Sequence, residues 1–216
     1  MIDFDSNRLI VPLYPPGAGG KFLINCLALN LQVEFQHRDL VGSFGSTEEK
    51  YQFLLERLQN ASSQWDDLGL GCVELVQMNH ESRLDRPIDE TKYLLNTNKI
   101  LEQLSDSGRY FSLVAHTLED IRYFRSLWPN CRVIVFINNE RFIQSRKRVQ
   151  DPRYDSWIET FKIDENCFVW DTDKNYRTGQ DFIMAFNLLC RFLKLPIVNP
   201  DWLFTLYAVW IDKIRK

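Results

Sequence analysis

The residues best suited to chemistry lie near the start of the chain, where Gly17, Ala18, Gly19, Gly20, Lys21 and Phe22 follow the apolar run Leu9-Ile10-Val11-Pro12-Leu13. Three glycines in four positions let consecutive backbone N–H groups turn toward one anion with no Cβ in the way. A helix opening at Lys21 would add the positive end of its dipole and a full positive charge. These six residues are the expected phosphate cradle. The end of the Walker pattern G-x-x-x-x-G-K-[ST] is met by Gly20-Lys21. Pro15 stands at its first glycine, and Phe22 replaces the hydroxyl residue that would hold Mg²⁺, which disfavours magnesium-dependent hydrolysis. The plainer alternative is a glycine-rich turn from strand to helix that binds nothing.

A second candidate is His116, in Val114-Ala115-His116-Thr117, where a strand should end and a capped helix begin. An imidazole titrating near neutrality can take the proton of an acceptor hydroxyl; a histidine tied to nearby backbone is the alternative. The other histidines, His37 and His80, stand in polar surroundings that read as surface. Three histidines without clustered Cys, Asp or Glu point away from a metal site. A basic cluster, Arg141, Arg146, Lys147, Arg148 and Arg153, reads as a solvated helix end or an anion contact. The five cysteines are odd in number, widely spaced and without a Cys-x-x-Cys pair, as buried reduced thiols would be.

These residues need elements to position them, and the chain supplies alternating strands and helices. Strands are expected over 9–13, 110–115, 132–137 and 167–170, with a weaker candidate at 72–76. Helices are expected over 22–31, 51–58 (behind a capping box at Ser46-Thr47-Glu48-Glu49), 97–104, 117–128, 141–149 and 181–193. The aromatic run from Trp202 to Trp210 has helical spacing and reads as core or a subunit contact. The continuous apolar stretch Arg132-Val133-Ile134-Val135-Phe136-Ile137 suits a parallel strand covered on both faces. Alternation of this kind predicts an α/β fold with a mostly parallel central sheet flanked by helices, and ligands at the carboxyl ends of its strands.

With 216 residues the chain is expected to form one domain, 1–216. A net charge of −3 gives no electrostatic footprint for nucleic acid. No apolar run approaches the roughly 18 residues of a membrane span, and the acidic start Met1-Ile2-Asp3-Phe4-Asp5 lacks the order of a signal peptide. The expected compartment is the cytoplasm.

In order and spacing these segments resemble the sulfotransferase family, which binds phosphoadenosine phosphosulfate (PAPS) on a three-layer, P-loop-like fold. Tyr14-Pro15-Pro16-Gly17-Ala18-Gly19-Gly20-Lys21-Phe22-Leu23 resembles that family's opening strand–loop–helix. Pro16 falls at the family's lysine and its Thr-Thr pair is missing. Ala115-His116-Thr117 resembles the family's strand-end Thr-His, and the run from Val133 to Ser145 has the spacing of its strand leading to Arg-Asn-Pro-x-Asp and a serine. Ile137 occupies the arginine position. Phe168-Val169-Trp170-Asp171 and the run to Leu193-Lys194-Leu195-Pro196 resemble the family's later strand and helix ending.

The resemblance implies transfer of a sulfuryl group from PAPS to a hydroxyl or amine of a small-molecule or glycan acceptor, with no metal. It implies His116 as base, Lys21 and the loop at the donor's 5′ end, and Ser145 with Arg141 at its 3′-phosphate. Two further readings stay open. One is a P-loop-derived binding protein without catalysis, suggested by Ile137 and the missing Thr-Thr pair. The other is a small nucleotide kinase, suggested by Lys21 and the strand-end Asp171.

Overall fold

A computed structural model describes residues 5–14, 18–33, 44–60, 110–112, 115, 118–138 and 161–215. The strand and helix expected over 72–76 and 97–104, and the helix over 141–149, lie outside them.

Four strands form a parallel sheet in the order β2-β1-β3-β4. They are β1 (Leu9–Leu13), β2 (Phe111–Ser112), β3 (Arg132–Ile137) and β4 (Cys167–Asp171). All of β1 and the middle four residues of β3 are buried, which explains their unbroken apolar sequence. In register, Ile10 faces Arg132 and Leu13 faces Val135; Val133 faces Cys167 and Ile137 faces Asp171. Pro12 is an unusual residue for an inner strand. Its carbonyl accepts from the Ala115 N–H at 2.9 Å, so the side where it lacks a donor is the β2 side. Among the described residues, pairing there joins Leu9 to Phe111 and Ile10 to Ser112, with a further bridge between Leu13 and Ala115. Of the strand expected over 110–115, residues 113 and 114 lie outside the described residues; Phe111 and Ser112 form the ladder, and Tyr110 bridges to Val33.

A 3-10 turn, Ser6–Arg8, and six α-helices complete the described residues: α1 (Gly20–Leu27), α2 (Thr47–Asn60), α3 (Leu118–Leu127), α4 (Thr172–Asn175), α5 (Gly179–Leu193) and α6 (Pro200–Arg215). Alternate strand residues feed two cores, as the pleat requires. Ile10, Ile134, Phe136 and Trp170 pack with α1, α2, α5 and α6. Leu9, Val11, Leu13, Val133 and Val135 pack with α3 on the opposite face. The sheet is therefore covered by helices on both sides, an α/β arrangement.

Local chemistry sets the helix ends. The α2 capping box holds, with one shift: the Glu49 N–H donates to Ser46 Oγ, while Glu49 Oε2 accepts from Gly45 rather than from the Ser46 amide. Thr178 caps α5 through its Oγ1 and the Asp181 N–H, and Lys194 closes that helix in the left-handed region, φ 58°. Helix α1 ends earlier than its apolar spacing suggests. Asn30 breaks it, its Oδ1 accepting from Gln32 N and its Nδ2 donating to the Pro196 carbonyl. Among the described residues, no helix is long and apolar enough to cross a membrane.

Candidate functional site

The chain leaves β1, builds β2 on one side, then crosses to build β3 on the other. A parallel sheet opens a crevice where its winding reverses in this way, at the carboxyl ends of the two strands concerned. Here those strands are β1 and β3. The glycine-rich segment follows β1 directly, so the topology delivers it to that crevice.

Gly19 is the N-cap of α1 and lies in the left-handed region, φ 77°, with no side chain capping the helix. Its carbonyl accepts from Leu23 N at 3.1 Å. An α-helix leaves its first amides outside the ladder, and here those belong to Gly20, Lys21 and Phe22. Lys21 is partly exposed beside them.

The side chains around this turn are aromatic, and they bear on the two glycines. A Cβ on Gly19 would come within 2.9 Å of Cζ2 and Cη2 of Trp210, and one on Gly20 would overlap the Tyr14 ring. Packing and the positive φ therefore account for Gly19, and packing accounts for Gly20, whether or not an anion binds. Phe22, placed by sequence in the cradle, is 2% exposed and stacks on Trp210 at 4.2 Å with parallel planes. Ala18 is fully buried in the same core. Both can offer a ligand only backbone groups.

Behind the turn stands a residue the sequence did not single out. Tyr176, fully buried, donates from its hydroxyl to the Gly19 carbonyl at 3.0 Å. Its own carbonyl accepts from the Tyr207 hydroxyl at 2.8 Å. Burial first, then the neighbouring Cys26 thiol, hold the Tyr176 hydroxyl well above the usual phenol range, so it remains a donor. Its aromatic neighbours in α6 were visible as a helical stripe. The partnership with Gly19, 157 positions away, carries no sequence signal.

The ends of β3 and β4 complete this edge. Asn138 adopts φ 52° and donates from Nδ2 to Asp171 Oδ2 at 3.0 Å. The other Asp171 oxygen accepts from Lys174 N at 3.0 Å, capping α4. Both carboxylate oxygens thus have structural partners. Ile137, which the resemblance to sulfotransferases aligned with an arginine, packs against the α3-side core.

His116, Gly17, Arg141 and Ser145 lie outside the described residues. Ala115, immediately before His116, is fully buried, and its carbonyl accepts from Tyr14 N at 3.2 Å. Of the cysteines, Cys26, Cys131 and Cys190 are buried as expected, and Cys167 is partly exposed. Burial, then the Cys190 thiol, push Cys26 well up, and burial takes Cys190 to about 12. Neither is poised as a nucleophile. Among the described residues no group of three or more His, Cys, Asp or Glu could hold a metal ion.

Comparison with known proteins finds no matching family model, no matching curated protein and no matching solved structure.

Proposed function

We propose that the chain is a sulfotransferase-like domain on a three-layer, P-loop-like fold, with its donor site at the opening of α1 and His116 as general base. The observation that carries this reading is the hydrogen bond from Tyr14 N to the Ala115 carbonyl. It sets Ala115, which precedes His116 in the sequence, against Tyr14, which precedes the glycine-rich loop. The first turn of α1, whose N-cap Gly19 brings no side chain, has Lys21 within it and suits a phosphosulfate or phosphate group.

When bound, PAPS would supply the sulfuryl group and a bisphosphorylated adenosine as leaving group. The loop amides and Lys21 stabilise the negative charge growing on the departing bridging oxygen. His116 takes the proton from the acceptor hydroxyl as that oxygen attacks. Ser145 and Arg141 hold the 3′-phosphate, the arginine through charge-assisted hydrogen bonds. The acceptor is a small molecule or a glycan.

A second reading, a P-loop-derived binding protein without catalysis, draws on the packing around Gly19 and Gly20 and on Ile137, which brings no charge to the β3 end. The kinase reading is weaker, because Asp171 is engaged in capping α4 and Phe22 is buried where a hydroxyl would bind magnesium.

Thermal unfolding with adenosine 3′,5′-bisphosphate, and separately with ATP and Mg²⁺, tests these readings. Ligand at about 100 times its dissociation constant stabilises by about 2.7 kcal/mol. The expected result is a rise in melting temperature with the bisphosphate alone, lost in Lys21→Ala, and sulfuryl transfer lost in His116→Ala. Binding without transfer favours the inactive protein. No shift with the bisphosphate overturns the donor site.

A further inference from the structure

Strand β4 ends the sheet beyond β3, and its outer edge is open. The Val133 N–H donates to the Asn166 carbonyl, so by alternation Asn166, Phe168 and Trp170 turn their backbone groups toward β3. Cys167, Val169 and Asp171 turn theirs away. The Cys167 N–H is taken by the Asp164 carbonyl at 2.9 Å. The Cys167 carbonyl, the Val169 N–H and carbonyl and the Asp171 N–H have no partner among the described residues. Val169 is itself 36% exposed. Such an edge is a template for a further strand unless proline, lysine or a bulge blocks it. Cys167-Phe168-Val169-Trp170-Asp171 contains neither proline nor lysine.

These four groups complement themselves. With Val169 opposite Val169 of the partner subunit in an antiparallel pair, the two residues exchange N–H and carbonyl across a two-fold axis. Each Asp171 N–H then meets the partner's Cys167 carbonyl, so every open group is used. The layer above has the same symmetry. Helix α5 runs against β4, since Phe182 meets Trp170 and Phe192 meets Phe168 with ring centroids 6.1 and 5.6 Å apart. Midway between those contacts stand Val169 on the strand and Asn187 on the helix. Asp181, Met184, Leu188 and Arg191 form a stripe on α5 with steps of three, four and three residues, the same in either direction about Phe186. Leu188 lies one turn before Phe192, which places the stripe beside the open edge. Met184 and Leu188 are 59% and 56% exposed.

We infer that two copies of this chain associate edge to edge through β4, joining their four-stranded sheets into one, with the α5 helices paired antiparallel above the join. A single axis, perpendicular to the sheet at Val169, serves both layers because the centre of the strand edge and the centre of the stripe fall one residue apart on α5. Met184 meets the partner's Leu188, and Arg191 meets the partner's Asp181. Within the protomer Asp181 Oδ1 accepts from Arg177 Nη2, which leaves a lone pair for the partner's Arg191.

Sedimentation equilibrium of the full chain tests the pairing, with circular dichroism confirming that each variant folds. The expected species has twice the monomer mass. Val169→Pro removes an N–H that makes no bond to β3, a place where an edge strand tolerates proline. It should weaken the dimer by about tenfold or more, and Leu188→Glu, in the layer above, should do the same. In Val169→Cys an added oxidant should link two chains through the substituted residues, whose Cα atoms would stand about 5.5 Å apart, within reach of a disulfide. Leu188→Glu and the cross-link decide the matter if the proline variant does not fold. A wild-type chain that stays monomeric at every concentration overturns the inference, as does a dimer indifferent to Leu188→Glu or to a folded Val169→Pro. An oxidised Val169→Cys dimer joined only through native cysteines overturns the register.

Discussion

The hydroxyl of Tyr176 and the carbonyl of Gly19 meet at 3.0 Å, joining the start of the chain to the turn before α5. The peptide between Gly19 and Gly20 is trans, so its N–H points away from its carbonyl. With the carbonyl held inward by Tyr176 and by Leu23 N, the Gly20 amide is turned out of the helix end. The same contact draws α6 into the turn, because Tyr207 holds Tyr176 from behind and Trp210 lies against both Gly19 and Phe22.

Removing only that hydroxyl leaves the ring packing intact. Tyr176→Phe is expected to cost about 1–2 kcal/mol, since the buried carbonyl keeps one donor of two. For a chain of this size that is a fall of about 2–8 °C in melting temperature. Amide exchange at Leu23, which donates to the loosened carbonyl, should accelerate more than exchange in β3. Equal acceleration at both places would mean that the hydroxyl does not hold the turn.

Gly20 separates two effects of opposite sign. At an open helical position, alanine in place of glycine stabilises by up to about 1 kcal/mol. Here the new methyl overlaps the Tyr14 ring, which is 3% exposed and packed against Phe136 with ring centroids 5.4 Å apart. Overpacking of this kind costs about 1–3 kcal/mol. Gly20→Ala should therefore lower stability to urea, and a variant as stable as wild type would show that Tyr14 is free to move aside.

Much of the scaffold was legible in the sequence because it rests on short-range rules. The apolar runs of β1 and β3, the Ser46–Glu49 cap and the apolar spacing of α5 each follow from neighbours along the chain. The site was legible only as a position. Glycines at 19 and 20 indicate a backbone that must pass close to something, but the sequence cannot say whether that is an anion or an aromatic ring. The fold answers for one partner, with Trp210 and Tyr14 at the two Cβ positions. Asp171 was ambiguous for a similar reason: a carboxylate at a strand end serves equally as a ligand or as the cap of the next helix. Its use as a cap depends on Asn138 and Lys174, and the Asn138 contact is long-range.

Lys50 illustrates a long-range tie with no local signature. Its side chain is 3% exposed, and its ammonium donates to the carbonyls of Val33 at 2.9 Å and Asn30 at 3.3 Å. Those carbonyls lie just beyond the end of α1, where a cation also suits the helix dipole. Lys50→Met keeps the stem and removes the donor from the Val33 carbonyl, while the Asn30 carbonyl keeps the Val33 N–H at 3.0 Å. A loss of about 2–4 kcal/mol is expected in urea unfolding. A loss below about 0.5 kcal/mol, the ordinary range for a surface change, would show that water replaces the ammonium.

Arg125 and Asp164 provide a prediction whose sign depends on pH. Arg125 on α3 grips both oxygens of Asp164, at 2.8 and 3.1 Å, and donates to Cys167 Sγ at 3.1 Å, fastening the helix to the start of β4. Burial alone would raise the Asp164 carboxyl. The Arg125 hydrogen bond, with those from Cys167 and the Asn166 amide, outweighs it and holds the group below the usual carboxylate range. A carboxyl depressed in the folded state contributes stability that is fully present above its unfolded value, about 3.9, and is lost as pH falls through the folded one. Asp164 is more than a third exposed, so solvent screening keeps the contribution modest. Arg125→Met removes the largest of the contacts that depress it. The gap in melting temperature between wild type and variant should therefore be widest near neutrality and narrow as pH falls from about 5 to about 3. A gap constant across that range would assign Arg125's contribution to packing, such as its contact over the Phe161 ring, rather than to the carboxylate.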